Sequence, residues 1–133
     1  MTNDLLQFSL NRKAEVDEGQ YSYKLLNVKV ENDVHTSYGI KQQISFEFSL
    51  KIGEETKPFV KKFNYSMHPE SRFMKFMSMI CKAYGKNQLN LRELIGTSGL
   101  LTITHGSDEN GNVYENITDI ALLSSEGKQY GPD

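Results

Sequence analysis

Alternation of apolar and polar residues is the dominant pattern of this chain, and it predicts five β-strands. Between Ile40 and Ile52 every second residue is apolar, with Gln42 as the one exception, and the residues between them are polar. A period of two is typical of an antiparallel strand with one face in the core and the other in water. Shorter segments of the same kind predict further strands at Tyr21–Val34, Phe59–Tyr65, Leu100–His105 and Val113–Leu123.

The same alternation assigns residues to the two faces of the sheet. Leu26 and Val30 in the first strand are predicted to face the core, as are Ile40 and Ile52 at the ends of the second. Tyr65 shares the parity of the apolar residues in the third strand and is also assigned to the core. The apolar positions of the fifth strand change parity midway, which predicts a β-bulge there.

One segment between the third and fourth strands has the spacing of an amphipathic helix. Ser71 precedes it as an N-cap and Gly85 follows it as a stop signal. We expect its apolar side to lie in the core, although a methionine-rich side can also form an adaptable binding groove. The apolar positions are Phe73, Phe76, Met77, Ile80 and Tyr84.

Three strands, one helix and two more strands is the element order of an OB-fold. The sequence therefore predicts a mainly β protein, a five-stranded OB-fold barrel with one helix between strands three and four. A β-grasp or another small α+β sheet has a similar element count and remains an alternative. Residues 1–133 are predicted to form a single OB-fold domain, with an N-terminal extension of about residues 1–20 and a frayed C-terminus of about residues 124–133.

Length and composition restrict the class of protein further. A chain of 133 residues has the size of one domain, and seven Phe and seven Tyr supply enough apolar surface to exclude a disordered chain. No apolar run is long enough to span a membrane, and no signal peptide is visible. The single cysteine, Cys81, excludes an intramolecular disulfide and fits a reducing compartment, so we expect a cytoplasmic protein of the host cell.

Charge is unevenly distributed along the chain. From Lys57 to Arg92 there are eight basic residues and one acidic residue, so this segment carries 8 − 1 = +7. The rest of the chain carries 7 − 16 = −9, which gives the overall net charge of −2. A basic segment within an acidic chain can direct a polyanion to one region, although lysines on a solvated face are the ordinary alternative.

Catalytic and cofactor motifs are absent from the sequence. There is no Gly-x-x-x-x-Gly-Lys phosphate loop and no Gly-x-Gly-x-x-Gly dinucleotide motif. The three histidines and the cysteine are too widely spaced for a structural zinc site. We therefore expect a protein that is not an enzyme and that uses no cofactor and no metal.

Three segments carry a resemblance to a known family. Ser71-Arg72-Phe73 opens the helix after a lysine-containing strand, and Leu91-Arg92-Glu93-Leu94-Ile95-Gly96 precedes strand four. Leu101-Thr102-Ile103-Thr104-His105 is followed by a glycine-containing turn and Tyr114-Glu115-Asn116-Ile117. Over the stretch from Ser71 to Ile120 that contains these segments, about 50 of 133 residues, the chain resembles phage-encoded single-stranded DNA-binding proteins of the OB-fold type from Gram-positive hosts.

The resemblance implies a sequence-nonspecific single-stranded DNA-binding protein that acts in phage or mobile-element DNA replication or recombination. Its expected partners are single-stranded DNA and replication or recombination proteins, with no membrane. The oligomeric state stays open, because the first strand or the hairpin of strands four and five can pair with another copy. The alternative is an OB-type β-barrel module that binds another protein and not nucleic acid.

An OB-fold binds its ligand on strands two and three and in the loops that join strands one–two and four–five. Single strands are gripped there by aromatic rings and by cations that contact phosphates. Each such residue has an ordinary alternative role, as a ring that covers apolar surface or as an exposed lysine. The candidate nucleic-acid-binding residues are Lys24, Lys29, His35, Tyr38, Lys41, Gln43, Lys62, Asn64 and Tyr114.

Overall fold

The computed structural model of the protein describes residues 11–122 and contains five strands and one α-helix. Five strands with a helix between the third and the fourth are therefore confirmed. A short 3₁₀ helix, Leu91–Leu94, precedes the fourth strand. No helix within the described range is long and apolar enough to cross a membrane. The elements are β1 (Gly19–Thr36), β2 (Gly39–Ile52), β3 (Glu55–Asn64), α1 (Arg72–Tyr84), β4 (Ser98–Ser107) and β5 (Val113–Leu122).

All five strands belong to one antiparallel sheet with the order β3-β2-β1-β4-β5. The long strand β1 joins its two halves, because it pairs with β2 along most of its length and with β4 over Gly19–Lys24. In the described part of the chain, β3 and β5 are not paired with each other. The sheet is therefore not closed, and both of these strands are edges.

Helix α1 packs against one side of the sheet. The Ser71 hydroxyl accepts a hydrogen bond from the Met74 N–H, and Gly85 ends the helix in the left-handed conformation at φ 67°. Both ends thus lie where the sequence places them. The buried ring of Phe76 lies 5.0 Å from that of Phe46 and 4.9 Å from that of Phe63, so the helix packs onto β2 and β3 through aromatic contacts.

A bulge in β1 reverses the predicted faces of the residues that precede it. The pairing of β1 with β2 shifts between Leu25 and Asn27, so Leu26 lies outside the regular ladder and is 49% exposed. Tyr23 and Leu25 face the core instead. The bulge predicted in the fifth strand is confirmed, because the β4–β5 register passes from Asp119 to Ile117.

The distal part of the β1–β2 hairpin projects beyond the sheet. Pairing of β2 with β3 begins only at Gln43, so Ile40 is 60% exposed. Val30, opposite Ile44 within the paired region, is exposed as well. Ile52 at the opposite end of β2 and Tyr65 beyond the end of β3 are also exposed. The prediction that these residues face the core is wrong. Apolar and polar residues still alternate at these positions, but no neighbouring element of the described chain covers the apolar side chains there.

The N-terminal segment, residues 11–18, lies between the two edge strands. The Val113 N–H of β5 donates to the Arg12 carbonyl at 2.8 Å. From β3, the Lys57 Nζ donates to the Glu15 carbonyl at 2.6 Å. Val16 is buried in the core cluster. The last two residues of the predicted N-terminal extension, 19–20, belong to β1. Its residues 1–10, the predicted frayed C-terminus and Leu123 lie outside the described residues.

Glu115 on β5 anchors this segment with a buried carboxylate that is 3% exposed. The carboxylate accepts hydrogen bonds from the N–H groups of Glu15 at 2.6 Å and Val16 at 2.9 Å, and from the Arg12 guanidinium at 2.8 Å. Burial by itself raises the pKa of the Glu115 carboxyl, but these hydrogen bonds outweigh burial and lower the pKa from 4.5 to about 2.

Ionised Glu115 should therefore stabilise the fold at neutral pH. A depressed pKa contributes stability above the unfolded value of 4.5, and this contribution falls as the pH drops towards about 2. At pH 7 it amounts to about 3 kcal/mol. In urea unfolding, Glu115→Gln should be less stable than the parent by roughly that amount at pH 7, and the difference should shrink between pH 5 and pH 2.

Glu54→Gln on the exposed β2–β3 turn is the matched control and should leave the free energy of unfolding near that of the parent. A difference between parent and Glu115→Gln that stays constant from pH 7 to pH 2 would contradict the assignment of a buried, ionised carboxylate.

Candidate nucleic-acid interface

A cleft of about 890 Å³ is lined by residues of both edge strands. The tip of the β1–β2 hairpin, the end of β3, the start of α1 and the β4–β5 loop surround it. The cleft brings together hydroxyls, amides, aromatic rings and three cations. Its polar and charged lining residues are Ser37, Gln43, Lys61, Lys62, Asn64, Ser66, Ser71, Arg72, Ser107, Asp108 and Asn116.

Two accessible tyrosine rings line the cleft. Tyr38 is 78% exposed and occupies the two-residue turn that ends the β1–β2 hairpin. The Thr36 hydroxyl accepts from the Tyr38 N–H at 3.1 Å and donates to the Gly39 carbonyl at 2.7 Å. Gly39 follows with φ 105°, a conformation that disfavours other residues. Tyr114 at the start of β5 is 40% exposed.

Lys61 and Lys62 approach the cleft from opposite faces of β3, as consecutive residues of a strand do. Lys62 lies opposite Ser45 on the outer face, as predicted. Lys61 lies opposite Phe46 on the core side, and its Nζ donates to the Glu115 carbonyl at 2.8 Å. Burial and the neighbouring Arg72 guanidinium lower the pKa of the Lys61 ammonium. A bound anion near Lys61 and Arg72 would relieve this repulsion between like charges.

The outer face of β1–β3 is crossed by polar side-chain pairs. Gln43 Nε2 donates to Asn64 Oδ1 at 3.0 Å, and Lys62 lies 3.9 Å from Glu31. Ser45 is one of the polar residues that alternate with the apolar ones in β2, a position that predicts exposure, but it is buried between the side chains of neighbouring strands. Within the described residues, its hydroxyl has no hydrogen-bond partner. The outer face thus combines cations and amides with paired carboxylates.

Five of the nine predicted binding residues line the cleft: Tyr38, Gln43, Lys62, Asn64 and Tyr114. The other four lie outside it. Lys24 pairs with Ser98 and Ser49 near the first residues of β1. Lys29 forms an ion pair with Glu47 at 2.9 Å. His35 and Lys41 are exposed on the projecting hairpin.

Lys61, Arg72 and Asn116 line the cleft but were not predicted as binding residues. Lys61 occupies a position in β3 that alternation assigns to the core, so the sequence did not predict it as a binding residue. Arg72 belongs to the first turn of α1. Asn116 lies beside Gly106, where a Cβ would come within 2.6 Å of its Nδ2. One feature of the sequence did include Lys61 and Arg72, namely the basic segment from Lys57 to Arg92.

Within residues 11–122, no three His, Cys, Asp or Glu side chains are close enough together to hold a metal ion. Comparison with known proteins adds no relative: no family model, curated protein or solved structure matches this chain.

Proposed function

We propose that this chain is a sequence-nonspecific single-stranded DNA-binding protein that acts in phage or mobile-element DNA replication or recombination. One observation carries the proposal: two exposed tyrosine rings and the cations Lys61, Lys62 and Arg72 line the same cleft. The protein would hold single strands by stoichiometric binding, with no covalent bond made or broken. Single-stranded DNA is its ligand, and replication or recombination proteins are its further partners.

An OB-fold is the architecture that we infer for it. The strand order β3-β2-β1-β4-β5 is that of a five-stranded OB barrel opened between strands three and five. Helix α1 lies between β3 and β4, as it does in that fold. The cleft combines β2 and β3 residues with the β1–β2 and β4–β5 loops, which are the ligand-binding elements of OB-folds.

The residues of the cleft suit an extended, unpaired strand better than a duplex. Tyrosine rings offer stacking platforms to bases of any identity, but only where the bases are unstacked from their own helix. Lysine and arginine contact phosphates without regard to sequence. Asp108 in the cleft and Glu31 beside Lys62 oppose phosphate binding, so we expect moderate affinity that depends on both stacking and charge.

A protein-binding module is the second candidate, and exposed apolar residues of the β1–β2 hairpin favour it. Ile40 lies on the projecting part, and Leu26 and Val30 lie farther back along β1; none of them is needed to explain DNA binding. Exposed apolar surface is a feature of protein interaction sites. A folded parent protein that binds no single-stranded oligonucleotide would favour this candidate over the first.

Binding to single-stranded DNA should weaken as salt rises. Each phosphate contact releases condensed counterions, so log K falls against log salt with a slope of about −0.7 per contact. Three contacts from Lys61, Lys62 and Arg72 give a slope of about −2. Titration of labelled oligo-dT at several salt concentrations measures this slope. A flat response would show that the cleft cations do not contact phosphates.

Exchange of Lys62 for Gln should make that slope shallower by about 0.7, because one phosphate contact is lost. Lys29→Gln is the matched control on the same outer face. Lys29 lies outside the cleft and is paired with Glu47, so its removal should leave the slope near that of the parent. Equal slopes for the two variants would remove Lys62 from the interface.

Loss of both cleft tyrosines should weaken binding without unfolding the protein. Stacking of a base on an aromatic ring contributes about 1–3 kcal/mol, so Tyr38→Ala/Tyr114→Ala should bind oligo-dT roughly tenfold or more weakly. Tyr38→Phe retains the ring and should keep most of the affinity. Fluorescence anisotropy measures binding, and thermal melting checks the fold. Normal affinity in the double variant would mean that the protein binds without stacking.

A further inference from the structure

We propose that Arg12 positions the Tyr114 ring for base stacking, so that the N-terminal segment sets the affinity for single-stranded DNA without contacting it. The inference rests on the proposed function and deepens it. Arg12 was not among the predicted binding residues, and it does not line the cleft. It would act only through Tyr114 and is therefore a positioning residue.

The Arg12 guanidinium lies over the Tyr114 ring, with its Cζ 5.1 Å from the ring centroid. This is the geometry of a cation–π contact. Two further contacts fix the guanidinium: it donates to Glu115 Oε1 at 2.8 Å and to the Val113 carbonyl. Because Glu115 is buried and Val113 belongs to β5, the position of the guanidinium is set by the strand that carries Tyr114.

The backbone of Arg12 is held as firmly as its side chain. Its N–H donates to Asn112 Oδ1 at 2.7 Å, and its carbonyl accepts from the Val113 N–H at 2.8 Å. Residue 12 therefore pairs with the residues that immediately precede Tyr114. The contact between guanidinium and ring follows from this pairing and does not depend on a flexible side chain finding its partner.

Tyr114 is constrained at its far end too. Its hydroxyl lies 3.4 Å from Asp108 Oδ2, and Asp108 also accepts hydrogen bonds from Asn110 and Asn112. On the neighbouring strand Tyr114 pairs with Gly106, which carries no side chain. The guanidinium covers one face of the ring, so a base from the cleft can stack on the other. The ring is thus held before the ligand arrives, and less rotamer freedom is lost on binding.

Arg12 differs from the cleft cations in one measurable respect. Its positive charge is paired with the buried Glu115 carboxylate, so it contributes little to the attraction of phosphates. Loss of Arg12 should therefore lower the affinity without changing its salt dependence. Loss of a phosphate contact such as Lys62 changes both.

The experiment measures oligo-dT affinity by fluorescence anisotropy in the full chain, below the melting temperature of every variant. Arg12→Gln is compared with Lys57→Gln. Both changes remove one positive charge and one anchor of the N-terminal segment, since Lys57 holds the Glu15 carbonyl, but only Arg12 contacts Tyr114. Each change is also made in the Tyr114→Ala background, and Arg12→Lys is included because it keeps a charge for Glu115 without the planar group.

We expect Arg12→Gln to weaken binding about three- to fivefold, as loss of an exposed cation–π contact would. The salt slope should stay that of the parent, Arg12→Lys should fall in between, and Lys57→Gln should bind as the parent does. In the Tyr114→Ala background, Arg12→Gln should have no further effect. If Arg12→Gln does not fold, the same cycle with Arg12→Lys decides, and Arg12→Lys must then lose affinity only when Tyr114 is present.

Three results would overturn the inference while leaving the proposed function intact. One is parental affinity in Arg12→Gln although Tyr114→Ala binds weakly. Another is an equal loss on removal of Arg12 with and without Tyr114, and the third is an equal loss in Lys57→Gln. Absence of any single-strand binding by the folded parent would overturn the proposed function and the inference together.

Discussion

The hydrogen bonds of the buried Glu115 carboxylate are the interactions on which the rest of this structure depends. A charge removed from water is tolerated only if its neighbours compensate it, and here two main-chain N–H groups and a guanidinium do so. All three donors come from the N-terminal segment, about a hundred residues away along the chain. The backbone carbonyl of the same residue accepts from Lys61 of β3. One residue thus connects both edges of an open sheet to the segment between them.

This arrangement explains how an unclosed sheet can be stable and also present a cleft. Edge strands expose unpaired backbone groups and need to be covered. Residues 11–18 cover β5 and reach β3 through the Lys57–Glu15 contact, and Val16 adds a buried side chain. Near the β4–β5 loop lies the cleft, lined by Lys61 and Tyr114. The segment that stabilises the fold is therefore also next to the proposed stacking platform.

The basic residues between Lys57 and Arg92 have different roles in the structure, although they form one basic segment in the sequence. Lys57 anchors the N-terminal segment, Lys75 lies 3.8 Å from Glu70 on the surface, and Lys82 lies in the last turn of α1. Of the cations in this segment, all of which lie in the described part of the chain, only Lys61, Lys62 and Arg72 line the cleft. The net charge of a segment is thus a poor measure of a binding surface, because position in the fold decides which cations converge.

Properties that depend on neighbours along the chain could be predicted from the sequence. Strand alternation, the Ser71 cap, the Gly85 stop and the outward direction of Lys62 are local, and the structure has each of them. Only the tertiary structure decided where alternation along a strand does not give its buried residues. The bulge at Leu26 changes the inward-facing residues of β1, and Ile40 is exposed because no third strand reaches it. The tertiary structure also brought Arg12 into contact with Tyr114, and Lys61 into contact with Glu115. A contact between distant residues depends on strand register and sheet order, and the period of the apolar residues encodes neither of them.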